Sequence, residues 1–154
     1  MPINIPLLTI PLYYVLAAIP HGYAMAKITG GDLSKADNCN PHGMATQEKL
    51  KKLVGPREFA AFERAESCHR NALENMPLFV AAIFAGCLAE WRAGAGATGV
   101  TTFSIVWMAL RTAYTINYIV VETRKWAFVR SLIYFITTFW AFAVIIRAAI
   151  VFGN

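Results

Sequence analysis

Four long apolar runs joined by short connections constrain this chain more than any other feature. Residues 3–26, 76–89, 100–121 and 127–152 consist mostly of Ile, Leu, Val, Phe, Ala and Trp. A bilayer core takes about 20 such residues as a helix. The first run is interrupted only by Asn4, its prolines, Thr9, His21 and Gly22. The second reaches spanning length only if the charged stretch before it is included, "RAESCHRNALENMPLF" from Arg64 to Phe79. The expected spans are therefore 5–26, 64–89, 100–121 and 127–152, with a long first connection over 27–62. Runs of this length exclude a membrane barrel, which is built from many short alternating segments. A single soluble domain is excluded as well, because 57% of the residues are hydrophobic and 15% charged, too few polar groups to cover a surface. The fold class that follows is all-α, an integral membrane four-helix bundle in one domain over 1–154.

Charge sets orientation in this chain rather than a meeting with nucleic acid. The formal net charge is +5, but Lys27, Lys35, Lys49, Lys51, Lys52 and Arg57 lie in the first connection and Arg124 and Lys125 in the third. The second connection offers only Arg92. Positive residues mark cytoplasmic connections, so the first and third are expected there and both termini on the opposite, lumenal side. A solvated charged loop describes the same residues equally well and does not conflict. Ala24-Met25-Ala26 has the look of a signal-peptide cleavage site, yet no positive residue precedes the run and the run is long, so a retained first span is expected. Pro6, Pro11 and Pro20 would bend that span, and "RAGAGATG" over 92–99 reads as a flexible turn.

Cys39, Cys68 and Cys87 are odd in number and include no Cys-x-x-Cys. Cys39 with His42 and Cys68 with His69 make an imaginable set of four metal ligands. The adjacent pair, however, points to different sides of a helix, and "DNCNPHG" reads first as an Asn/Pro/Gly turn. No metal is expected.

Ionisable residues inside spans cost about 2.5–3.5 kcal/mol at the bilayer centre, so they usually face a bundle interior and mark function. On the second helix Glu63, Ser67, Arg70 and Glu74 share one face, with Asn71 alongside. On the third, Arg111, Tyr114, Thr115 and Tyr118 do the same, and on the fourth Arg130, Ser131, Tyr134, Thr137 and Thr138. Each group has a plainer explanation. Glu63, Arg64 and Glu66 are solvated if the helix extends beyond the bilayer; Arg70 and Glu74 have the spacing of a surface ion pair. Arg111 needs a partner and could pair with Glu74, while Arg130 could snorkel to the interface. Together the stripes describe a cavity rich in arginine and phenol with one or two carboxylates. It suits an anionic or zwitterionic ligand beside lipid, where an apolar co-substrate can arrive.

The chain resembles the MAPEG family, the membrane-associated proteins in eicosanoid and glutathione metabolism. "ERAESCHRNALENMPLF" is similar to that family's second-helix pattern, with Glu63, Arg64, His69, Asn71 and Glu74 at matching places. "RTAYTINY" (111–118) resembles the third-helix pattern, and "VRSLIY" (129–134) the Arg-Ser-x-x-Tyr start of the fourth helix in prostaglandin E synthase-like members. "DNCNPHG" looks like the Asn-x-Asn-Pro turn of some members. The resemblance implies a homotrimer of four-helix protomers in the endoplasmic reticulum, with glutathione bound between subunits near the cytoplasmic side. By position, Arg70, Asn71 and Glu74 would hold its backbone, Glu74 facing the α-amino group. Tyr118, Arg130, Ser131 and Tyr134 would complete the pocket, with Arg111 and Tyr114 deeper. Arg130 would be the catalytic residue, stabilising the thiolate, with Ser131 a second donor. This sequence departs from the pattern in three places: a longer connection between Tyr118 and Arg130, Ser67 where some relatives have arginine, and Lys27 as the only candidate for the usual first-helix cation.

The functions implied are microsomal glutathione transferase-like conjugation to lipophilic electrophiles and glutathione-dependent reduction of lipid hydroperoxides. The alternatives are a prostaglandin E synthase-like isomerase, a non-catalytic lipid-binding protein of the lipoxygenase-activating type, and a small channel or transporter. Retention of Arg70, Glu74, Arg130 and Ser131 favours the enzyme.

Overall fold

Each apolar run forms a helix, and the residues at the helix ends account for where it starts and stops. The computed structural model describes residues 3–32, 34, 40 and 43–153. Five helices run in the order α1 (Ile5–Thr29), α2 (Met44–Leu53), α3 (Pro56–Ala93), α4 (Val100–Val120) and α5 (Arg124–Gly153), with no strand among the described residues. Asn4 opens α1 by accepting the Leu7 N–H at 3.0 Å, which satisfies one orphan donor of the first turn. Gly30 closes it in the left-handed region at φ 64°, a conformation glycine adopts without strain.

Helix α3 departs most from the sequence expectation. Its 38 residues extend about 57 Å at 1.5 Å per residue, far more than a bilayer core of about 30 Å. It begins at Pro56, eight residues before Arg64, and passes through Pro77 without a break. The charged residues 57–66 therefore ride on a helical extension rather than in a connection. The expected 27–62 connection also contains α2, a short polar helix carrying Lys49, Lys51 and Lys52. The turn "DNCNPHG", with Cys39 and His42, lies largely outside the described residues.

By length and apolar content α1, α3 and the 125–153 segment of α5 are able to cross a membrane. The 21 residues of α4 match the third expected run in position, but its polar stripe keeps it out of that group. Helix α3 is the hub, touching α1, α2, α4 and α5, while α4 also packs on α1 and α5. The core between them is aromatic: Tyr13 meets Phe79 at 5.1 Å, Phe79 stacks on Trp107 at 4.8 Å, and Phe103 meets Trp107 at 5.4 Å. The Tyr13 hydroxyl donates to the Ala72 carbonyl at 3.1 Å, tying α1 to α3.

Small residues let the backbones approach, as membrane helices require. A Cβ at Gly86 would lie 2.7 Å from Val100 Cβ and 3.1 Å from Val144 Cγ1, so only glycine allows α3, α4 and α5 to meet there. Leu12, Val15, Ile19, Ile105, Phe139 and Ile146 face outward, exposed on this protomer, a surface suited to lipid. The C-terminal ends of α1 and α4 and the N-terminal ends of α3 and α5 lie together at the basic end of the molecule.

Candidate functional site

Tyr118, one turn from the end of α4, is the pivot of the candidate site. Asn71 on α3 donates from Nδ2 to the Tyr118 hydroxyl at 3.0 Å. The Arg130 guanidinium of α5 lies over the Tyr118 ring, 4.0 Å from its centroid. That contact fixes the plane of the guanidinium by cation–π attraction. Tyr114, four residues before Tyr118, packs against it at 5.2 Å. Because α3, α4 and α5 run antiparallel in turn, residues separated by 59 positions arrive in one place.

Asn71, Tyr114, Tyr118, Arg130, Ser131 and Tyr134 line one cleft of about 540 Å3, with Phe128 and Phe135 on its rim. Tyr114 in its wall belongs to a buried cluster with Cys68 and Ile133. Phe128 and Phe135 are exposed, so the mouth opens beside the apolar outer surface. Arg130 Nη1 is buried and has no acceptor. A guanidinium stays charged at any working pH, so this nitrogen is a fixed positive donor with no acceptor among the described residues. Ser131 is exposed beside it. Across the connection from Tyr118 to Arg130, which comprises 121–123 and the first turns of α5, Arg130 still lies over Tyr118.

Three other residues expected at the site lie elsewhere. Arg70 is exposed and lines a separate cleft with Gln47, Phe62, Glu63, Glu66 and Ser67. Glu74 is exposed, lines neither cleft and makes no ion pair with Arg70 or Arg111. The surface pair expected between Arg70 and Glu74 is thus not formed. Nor is the expected Arg111–Glu74 pair, because the two side chains point in different directions from the bundle. Arg111 is 1% exposed. It lies over the rings of Trp107 at 4.6 Å and Tyr114 at 5.4 Å, and all three guanidinium nitrogens lack an acceptor. Aromatic faces therefore take the place of the expected carboxylate. Lys27 is exposed near the end of α1, above Tyr23, and does not line the Arg130 cleft.

Two arrangements escaped the sequence pattern. Glu66, expected to be solvated, is buried and takes a 2.6 Å hydrogen bond from His21 Nδ1 on α1. His69 stands 5.1 Å from His21 and uses Nδ1 to donate to the Ala17 carbonyl at 2.7 Å. These two contacts pin α1 to α3. Their visible signal was His21, a polar interruption in an apolar run. The second arrangement is at the far end, where Glu90 Oε1 accepts from Thr98 N at 3.2 Å, Thr98 Oγ1 at 2.9 Å, Gly99 N at 2.9 Å and Val100 N at 3.3 Å. The end of α3 thereby caps the start of α4. The glycines of 92–99 announce the turn, but nothing in the sequence announces that Glu90 caps it.

A family model described as the MAPEG family matches residues 6–150, nearly the whole chain. The chain belongs to the MAPEG family. No curated protein and no solved structure matches it. MAPEG members are membrane proteins, among them glutathione transferases, peroxidases and non-catalytic activating proteins. Membership agrees with the all-helical fold and its membrane-crossing helices.

Proposed function

We propose that this MAPEG protein is a glutathione-dependent membrane enzyme. It transfers glutathione to lipophilic electrophiles, reduces lipid hydroperoxides with it, or does both. One observation carries the reading: a permanently charged arginine, Arg130, is held on Tyr118 with its Nη1 buried and unpaired at a polar cleft. The cleft's volume of about 540 Å3 falls within the range of about 300–1,000 Å3 usual for small-molecule sites. Asn71, Tyr118, Ser131 and Tyr134 offer amide and hydroxyl groups suited to a peptide backbone and its carboxylates. Bound glutathione supplies a thiol as the nucleophile.

The chain's own residues do the rest. Holding the thiol of pKa about 8.5 about two units lower takes roughly 2.7 kcal/mol. A guanidinium about 4 Å away at an effective dielectric near 20 provides on the order of 4 kcal/mol before desolvation. Arg130 therefore suffices without a general base. Ser131 is a second donor at the same place, and the Tyr118 hydroxyl a third. Phe128 and Phe135 at the rim lead an apolar co-substrate in from lipid. Arg70 and Glu74, both exposed, would complete the site from the face of a neighbouring copy in a homotrimer. The basic end faces the cytoplasm of an endoplasmic-reticulum membrane, with both termini lumenal.

Glutathione binding to the purified protein, followed by thermal shift across concentrations, tests this reading. A melting temperature that rises with glutathione in wild type and stays flat in Arg130→Ala is expected. No rise in wild type at millimolar glutathione removes the enzyme reading and leaves the non-catalytic, lipid-binding one.

A further inference from the structure

A second polar cavity, of about 330 Å3, lies at the basic end between the end of α1, the start of α3 and the end of α4. Its charged lining is Lys27, Arg57, Glu58, Arg64 and Glu122, with Tyr23 beside Lys27. None of these lines the Arg130 cleft. One of the two carboxylates is already engaged. Glu122 takes a 3.0 Å hydrogen bond from Arg64 Nη2, and Glu58 turns back to its own helix start, its Oε2 only 3.0 Å from where a Cβ on Gly55 would stand. Lys27 and Arg57 have no carboxylate within ion-pair distance among the described residues, and Arg64 Nε is buried without an acceptor. Three cations from two helices thus converge on a cavity in which only Glu122, of its two carboxylates, is paired, so the lining carries a net positive charge.

We propose that this cavity binds a phosphate group, supplied by the headgroup of an anionic phospholipid. Phosphate fits better than a single carboxylate because it presents several oxygens at once to a lysine point charge and to arginine forks. A lipid source fits the level of the cavity. It sits where membrane helices end and polar headgroups begin, the position at which basic pockets between helices take anionic lipids. Tyr23, its ring 5.6 Å from Lys27 Nζ, is the interfacial aromatic usual at that depth. The site is independent of the glutathione reading.

The test uses the full chain in detergent, titrated with phosphatidylglycerol or phosphatidylcholine and read as lipid retained in native mass spectra. Wild type is expected to retain phosphatidylglycerol preferentially. Arg57→Gln combined with Lys27→Gln is expected to lose that preference about tenfold, whereas Arg57→Lys keeps it. Arg130→Ala is expected to retain phosphatidylglycerol as wild type does, since it leaves this cavity untouched. Competition by glycerol 3-phosphate separates the two sources of the same chemistry. Displacement of the lipid supports recognition of the phosphate alone, and lack of displacement supports recognition of the whole lipid. Equal retention of both lipids by wild type, or undiminished phosphatidylglycerol on the folded double variant, overturns the proposal.

Discussion

Glu90 and Arg130 are both charged residues close to a helix end, and their surroundings differ in kind. Glu90 Oε1 collects three backbone N–H groups and a hydroxyl, and nearby Arg147 reaches the Thr98 carbonyl at 3.5 Å. Arg130 lies over an aromatic ring with one buried nitrogen unpaired. A buried polar group left unsatisfied costs about 1–3 kcal/mol, so a fold tolerates it where something else completes the bond. The far end spends its polar groups on holding helices together. The basic end keeps donors in reserve, at Arg130 and again around Lys27 and Arg57. Charge alone does not separate structure from function in this molecule; the state of its partners does.

Substitutions at the two ends should therefore fail in different ways. The largest effect is expected from Arg130→Ala: turnover with a chlorinated aromatic electrophile falls by about 10²–10³, the usual loss for one transition-state donor, while the melting temperature stays within a degree or so of wild type. Full activity in that variant removes Arg130 from the mechanism. Glu90→Ala reverses the pattern. Losing one acceptor that serves four donors should destabilise the protein by about 2–3 kcal/mol, seen as a lower melting temperature, with turnover per folded molecule kept. Gly86→Ala belongs with it, since the added methyl meets Val100 at 2.7 Å, and overpacking costs about 1–3 kcal/mol.

Tyr118→Phe sharpens the comparison further. The ring under Arg130 stays and the hydroxyl bonded to Asn71 goes, so turnover should drop about tenfold, the worth of one hydrogen bond of about 1.4 kcal/mol. A drop as deep as that of Arg130→Ala would make the phenol, rather than the arginine, the principal donor. The smallest effect is expected from Glu66→Gln, which keeps a hydrogen bond to His21 but loses its charge. About 1 kcal/mol of thermal stability should go, with the glutathione response unaltered.

The sequence shows the helices and the motif-bearing part of the Arg130 cleft because both rest on local periodicity. Tyr114 and Tyr118 lie on one face of α4, and Arg130, Ser131 and Tyr134 on one stretch of α5. Periodicity says nothing about rotation between helices. Arg70 and Asn71 are adjacent in the chain, yet they line different clefts, because successive helical residues are about 100° apart. Arg111 shows a second limit. Its need for a partner is legible, but a pairing rule based on charge points to Glu74 and overlooks the Trp107 and Tyr114 rings that receive it. Glu66 shows a third: within a charged stretch only the tertiary contact with His21 distinguishes it from its solvated neighbours.

Arg111 also bears on how the protein enters its membrane. A centrally placed arginine makes α4 a poor segment for the translocon to release into lipid by itself, by about 2.5–3.5 kcal/mol. Both aromatic rings over it lie on α4 itself, and α3 covers them in turn, Phe79 stacking on Trp107 and Cys68 packing on Tyr114. Helix α4 should therefore be inserted in company, as the second limb of a hairpin with α3, whose turn is locked by Glu90. A glycosylation-mapping insertion assay should show the isolated 100–120 segment integrating poorly and the 56–120 hairpin integrating well. Equal integration of the two would mean that the arginine imposes no order on biogenesis.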